Sequence, residues 1–159
     1  MIKLLHVISD SNIGGAGIYV QSLTRALDPK KFKVFVACPH NSRLAELIEK
    51  PVRLIELPGL SAEQSFSLQG TLSLLRFIKE NDIDIVHTHA SLSGRLAARI
   101  AGKKIVFTRH TPVTVYPKNS LKWLIQHQVN LWLCDQVVAV SGFIAKQLDE
   151  QGFPPERIN

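Results

Sequence analysis

Short runs dense in Val, Ile, Leu and Phe alternate along this chain with segments whose apolar residues recur every three or four positions. The runs are Lys3–Ser9, Lys33–Cys38, Val52–Leu57, Ile85–Thr88, Lys104–Thr108 and Gln136–Val140. Each is strand-sized, and several are nearly continuous in apolar residues, as strands covered on both faces are. Between them, Ala16, Val20, Leu23 and Leu27 share one helical face, as do Leu68, Leu72, Leu75 and Ile78, and again Leu92, Leu96 and Ile100. Ser120–Leu133 and Gly142–Glu150 complete the helical set. The order reads βαβαβαβαβαβα with short connections, which demands a parallel sheet with helices on both faces. Right-handed crossovers then predict an α/β, Rossmann-like doubly wound sheet of about six strands in the order 3-2-1-4-5-6.

The 159 residues fit one domain, and 45% hydrophobic with 20% charged residues is ordinary for a globular chain. The N-terminal segment carries His6 and Asp10 and no small-residue cleavage site, so it reads as a first strand rather than a signal peptide. With only Cys38 and Cys134, placed in no short motif, the expected setting is a reducing cytoplasm. The net charge is +6. Its lysines and arginines are dispersed, with no basic helix stripe and no interleaved aromatics, which argues against nucleic acid as a partner. Loose attraction to an anionic membrane face or to a phosphorylated substrate is the better expectation.

In such sheets ligands bind beyond the carboxyl ends of the strands, near the point where strand order reverses. The turns there read Asp10-Ser11-Asn12-Ile13-Gly14-Gly15-Ala16-Gly17, His87-Thr88-His89-Ala90-Ser91, Thr108-Arg109-His110-Thr111-Pro112 and Val140-Ser141-Gly142. Three of the six histidines fall in these turns. Gly14 and Gly15 precede a helix, where side-chain-free backbone lets N–H groups approach a phosphate. Their spacing is not Gly-x-Gly-x-x-Gly, and the second strand ends Ala37-Cys38-Pro39-His40 without a ribose-binding acid, so a dinucleotide site is disfavoured. Strand alternation puts His87 and His89 on one face. His87 reads as a packed core residue, whereas His89 and His110 read as crevice residues. A His-x-His metal site lacks an obvious third ligand beyond His110, so no metal and no other cofactor is expected. His6, His40 and His127 are assigned no role.

The string Ile-Gly-Gly-Ala-Gly-Ile-Tyr-Val-Gln-Ser-Leu-Thr-Arg-Ala-Leu (13–27) resembles the first loop and helix of family 4 retaining glycosyltransferases. Asp-Ile-Val-His-Thr-His (84–89) resembles that family's fourth strand, Ile-Val-Phe-Thr-Arg-His (105–110) its fifth, and 136–148 its sixth strand and following helix. The four stretches occur in the family's order over essentially the whole chain. The resemblance implies half of a GT-B fold, the acceptor-side domain, with the nucleotide-sugar domain following it. By it, Gly14 and Gly15 bring backbone N–H groups to the donor's phosphate. His110 is the catalytic-site histidine near the transferred sugar, and His89, Arg109 and Ser141 line the acceptor and sugar side. The same resemblance implies no metal, a UDP- or GDP-sugar donor, and a cell-envelope glycan or lipid-linked acceptor.

Residues 1–152 then form the domain and 153–159 begin an interdomain linker, with Gly152, Pro154 and Pro155 marking the stop. The nucleotide-sugar domain is expected to be absent, and this piece alone to be inactive. Two other readings fit the same pattern: a non-catalytic Rossmann-like binding module, and half of a GT-B-type sugar-nucleotide epimerase.

Overall fold

The computed structural model describes residues 1–9, 13–61, 64–112, 114–118 and 120–159. In chain order its elements are β1 (Ile2–Ile8), α1 (Gly15–Ala26), β2 (Phe32–Cys38), β3 (Arg53–Glu56), α2 (Leu68–Glu80), β4 (Ile85–His89), α3 (Leu92–Ile100), β5 (Lys104–Arg109), α4 (Leu121–Trp132), β6 (Gln136–Ala139) and α5 (Gly142–Glu150). All strand pairs are parallel, in the order β3-β2-β1-β4-β5-β6. This is the expected doubly wound sheet, with the reversal between β1 and β4. The connection from β2 to β3 departs from expectation. It holds one short 3-10 turn, Arg43–Glu46, where the alternation called for a helix.

Side-chain alternation along β1 splits the core in two. Leu5 and Val7 face the layer built by Leu74 and Ile78 of α2 and Ala97 and Ala98 of α3. Ile8 faces the opposite layer, with Val20 of α1, Val36, Cys38 and Leu44. Phe107, Val137, Ile144, Leu148 and Phe153 form a third cluster where α5 closes the β6 end of the sheet. Two carboxylates tie strand starts together: Asp84 accepts from the Lys3 N–H at 2.8 Å and Asp135 from the Ile105 N–H at 2.8 Å.

The helices do not all bury the stripe that their large apolar residues suggest. α2 buries Gly70, Thr71, Leu74 and Ile78 and leaves Leu68 and Leu72 exposed. α3 buries Ser93, Gly94, Arg95, Ala97 and Ala98 and leaves Ile100 exposed. The reason is close approach. A Cβ on Gly94 would lie 2.9 Å from the Thr88 methyl and 3.2 Å from Val7, and one on Gly70 would lie 2.7 Å from the Gly59 carbonyl oxygen. Small residues let these helices sit down on sheet and loop, and that outweighs burying a few more leucines. Four of the five α-helices begin on a capping serine: Ser67, Ser91, Ser120 and Ser141 each accept from a backbone N–H of the first turn. α1 is different. Its cap is Gly14, with no side-chain hydrogen bond.

Residues 153–159 lie on the domain. Phe153 is buried, Arg157 donates to the carbonyls of Leu131 and Cys134, and Ile158 bridges in parallel to Val137. Cys38 and Cys134 are buried free thiols, each pushed up to about 11 by burial first of all.

Candidate active site

Register builds the site. β1 and β4 pair with His6 opposite His87 and Ile8 opposite His89. Because alternate residues share a face, His6, His87 and His89 all point to the α1 side of the sheet. Their ring centroids lie 4.5 to 5.5 Å apart. His6 Nδ1 and His89 Nε2 share a hydrogen bond at 3.2 Å, and His89 Nδ1 and His110 Nε2 another at 3.1 Å. His87 Nε2 bonds Thr108 Oγ1 at 2.6 Å. Tyr19 of α1 lies against this row, its ring 5.8 Å from His89 and edge-on to His110 at 5.3 Å.

The row therefore runs from the interior to the carboxyl edge, and burial decreases along it. His6 and His89 are 0% and 1% exposed, while His110 is half-buried beyond the end of β5. Burial holds all of them below the ordinary histidine value, since a charged imidazole loses its hydration there. His6 and His89 lie well below it, His87 falls to about 4, and the neighbouring imidazoles add repulsion. His110 is lowered as well, by burial. The cluster is neutral at physiological pH, with His110 its most exposed member.

This cluster corrects the expectation that no metal is involved. The missing third ligand is His6, 83 residues before His89 in sequence. His6, His87 and His89 each present one ring nitrogen, all within 4.8 Å of one another, so these three can hold a metal ion. Neutral imidazole is the ligating form, and the 3.2 Å between His6 Nδ1 and His89 Nε2 is close to an edge of about 3.3 Å in a tetrahedral zinc–nitrogen site. His6 Nε2 is buried with no hydrogen-bond partner. The outward bonds of His87 to Thr108 and of His89 to His110 are of the kind that fix ring tautomers around a metal.

At the mouth of the same edge, Gly15 is exposed and opens α1, whose first turn has no acidic residue. A Cβ added there would meet nothing within 4 Å. Packing therefore does not require the glycine. Residues 10–12, the first part of this turn, lie outside the described residues.

The family model described as Glycosyltransferase Family 4 matches residues 13–159. The chain belongs to Glycosyltransferase Family 4. Among curated proteins it is similar to the Escherichia coli UDP-Gal:alpha-D-GlcNAc-diphosphoundecaprenol alpha-1,3-galactosyltransferase. The two are 30% identical over 115 residues, which is 69% of this chain and 30% of that protein. Among solved structures it is similar to a glycosyltransferase from Rickettsia africae (TM-score 0.72, 22% identity, 99% of this chain and 42% of that one). Anabaena HepE, solved with UDP and glucose, shares the fold at a TM-score of 0.67 and 17% identity over 100% of this chain and 43% of that one. A UDP-N-acetylglucosamine 2-epimerase does so at 0.68 and 17% over 99% of this chain and 47% of that one. The chain thus spans under half the length of each of these proteins, and the structural likenesses speak for the fold alone.

Within this Family 4 chain the remaining expected residues are spread along the carboxyl edge. Arg109 ends β5, half-buried, with its guanidinium 5.0 Å from the Phe107 ring centroid and its Nε buried without a partner. Burial lowers its affinity for the proton, as it does for Arg95, down to about 10, on the same ring. Ser141 caps α5 and is exposed, accepting from the Ile144 N–H at 3.3 Å. Their described side-chain contacts are with Phe107 and the Ile144 N–H, although Arg109 directly precedes His110 in the chain. His6 and Tyr19 are the residues that sequence reasoning passed over. A histidine at the middle of the first strand was the available signal, legible only once that strand is paired with β4.

A concavity of about 490 Å³ lies elsewhere, lined by Arg25, Leu27, Phe32, Lys50 and Arg53 among others. It sits at the amino end of β2 and β3, away from the chemistry.

Proposed function

We propose that this chain is the acceptor-side part of a glycosyltransferase that moves a sugar from a UDP- or GDP-sugar to a cell-envelope or lipid-linked glycan, with retention of configuration. The observation that carries the reading is the row His6–His89–His110, ending half-buried at the carboxyl edge beside the glycine-opened N-terminus of α1. Family membership supports the reaction class, and the name of the E. coli relative supports a lipid-diphosphate acceptor.

Transfer breaks the bond from the anomeric carbon to the leaving diphosphate while the acceptor hydroxyl oxygen bonds that carbon on the same face and gives its proton to the departing phosphate. Positive charge grows on the sugar and negative charge on the phosphate. His110, held by His89 and edge-on to Tyr19, hydrogen-bonds a hydroxyl of the transferred sugar and fixes its orientation. The N–H groups at Gly14 and Gly15 face the leaving phosphate, favoured by the helix N-terminus. Buried His89 acts through His110 as a positioning residue, and Arg109 and Ser141 meet the acceptor or sugar. The three buried histidines can hold a metal ion at one end of the row, and no step above depends on it.

The test is sugar transfer by the longer protein containing this chain, with nucleotide-sugar donors and a lipid-diphosphate saccharide. The expected product keeps the donor's anomeric configuration, and His110→Ala lowers kcat by roughly 10²-fold with the fold kept. Product of inverted configuration would exclude retention. Release of an epimerised nucleotide sugar without transfer would favour the epimerase reading. An unchanged rate for His110→Ala would remove His110 from the chemistry.

A further inference from the structure

The two ends of the histidine row are unlike. At the inner end His6 is fully buried, and its Nε2 has no hydrogen-bond partner among the described residues. At the outer end His110 is half-buried and bonds His89 through Nε2. Its other nitrogen, Nδ1, is the one left for the carboxyl edge. Between them, buried His89 engages both ring nitrogens, Nε2 with His6 at 3.2 Å and Nδ1 with His110 at 3.1 Å.

A neutral imidazole carries one N–H and one bare nitrogen. Burial holds all three rings in that form. Two bonds between three such rings leave only two arrangements of the protons. In the first, His89 carries its proton on Nδ1 and donates to His110, whose own proton must then sit on Nδ1. His89 Nε2 accepts from His6 Nδ1. In the second, every bond reverses. His110 donates from Nε2 to His89, His89 donates from Nε2 to His6 Nδ1, and the His6 proton is forced onto Nε2. The rings cannot choose separately.

The inner end decides between the two. The second arrangement drives an N–H into the interior at His6 Nε2, where no described acceptor stands. A buried N–H without an acceptor is rarer in proteins than a buried acceptor with a spare lone pair. The first arrangement leaves a bare nitrogen at that point and places the spare N–H at the edge, where water or substrate accepts it. A metal on His89 Nε2 would also hold the His89 proton on Nδ1. The outer half of the row therefore keeps its direction with or without an ion.

We infer that His6 and His89 are positioning residues that present His110 to the substrate as a hydrogen-bond donor, with its proton on Nδ1. The group that His110 meets is then an oxygen lone pair of the transferred sugar, on a hydroxyl or a carbonyl. His110 does not take the acceptor's proton, because the nitrogen facing the edge already holds one. The inference rests on the placing of His110 against the sugar proposed above. The tautomer is read without substrate, so each can fail alone.

The experiment is long-range proton–nitrogen correlation NMR on the nitrogen-15-labelled 159-residue chain, treated with EDTA and held above neutral pH. Each ring shows which nitrogen bears its proton, and single histidine substitutions assign the signals. His6, His89 and His110 should all show Nδ1–H, the tautomer that a free histidine ring in water disfavours. Cutting the row with His89→Phe should release His110 to the Nε2–H form. In the longer protein, His89→Phe should lower kcat roughly tenfold with KM little changed. Adding it to His110→Ala should cost nothing further. Nε2–H on His110 in the wild type overturns the inference, and that spectrum decides even if His89→Phe does not fold. Nδ1–H on His110 in a folded His89→Phe variant also overturns it, since something other than the row would then hold the proton. Additive losses in the double variant do the same, by giving His89 a role that does not pass through His110.

Discussion

The two faces of one sheet are built from the same strands and do different work. On the α2–α3 side, Leu5, Val7, Val86 and Ile105 meet small helix residues at close range, and Thr88 turns its methyl to Gly94, so the contact with the sheet is made by apolar groups. On the α1 side, the alternate residues of the same strands are His6, His87, His89 and Thr108, all buried and hydrogen-bonded to one another or to the edge. A core gains stability from dispersion and area, and the first face supplies it. The second face contains polar groups that cost desolvation unless partnered, and it partners them in a row leading out to His110. One face holds the sheet together so that the other can hold a polar site.

The sharpest way to break that comparison is to overfill the apolar face. Gly94→Val places branched carbon against the Thr88 methyl and Val7, and overpacking of this kind costs about 1–3 kcal/mol or more. Thermal melting should fall by about 2–4 °C for each kcal/mol in a chain of this size. A variant melting like wild type would show that α3 can lift off the sheet freely.

On the polar face, His87→Ala removes the partner of Thr108 Oγ1 and leaves a buried hydroxyl unsatisfied. The expected cost is about 1–2 kcal/mol, read from denaturant unfolding. Thr108→Val in the same background should recover part of it, because both polar partners are then gone. Failure to recover would mean that His87 stabilises by volume and not by its hydrogen bond.

Acid should separate the faces further. Burial keeps His6, His87 and His89 below the ordinary histidine value of 6.5, with His87 near 4. An imidazole that titrates lower when folded binds protons more readily when unfolded. Its contribution to stability is therefore complete above the unfolded value and is lost as pH falls from there toward 4. Unfolding free energy should drop between pH 6.5 and pH 4, and His6→Phe should flatten that slope if it folds. A profile independent of pH across this window would contradict the neutral cluster.

The smallest effect is expected at Gly15. An added methyl meets nothing within 4 Å, so Gly15→Ala should change stability by no more than about 0.5 kcal/mol. In the longer protein it should raise the donor's KM or lower kcat. Parallel losses of stability and activity would instead make the glycine a folding requirement.

What the sequence determined by itself is the frame. Six apolar runs separated by helical segments leave few ways to build a parallel sheet, and the handedness of crossovers reduces them to the order observed. The same rule placed Gly14, His89, His110 and Ser141 at one edge before any contact was known, since turns after parallel strands all fall on that side. What only the tertiary structure decided is pairing across distance and the choice of buried face. His6 joins His87 through a strand register that no local pattern encodes. Leu68, Leu72 and Ile100 face solvent because glycines and alanines beside them allow closer packing, and periodicity records size and polarity but not how near a neighbour can come. Leu121, Leu124, Ile125, Val129 and Trp132 give α4 the spacing of a core helix, and they face outward because Gly152, twenty residues beyond Trp132, admits the rings of Trp123 and His127 on the other side. Periodicity is a property of one segment. Burial is a property of what that segment meets.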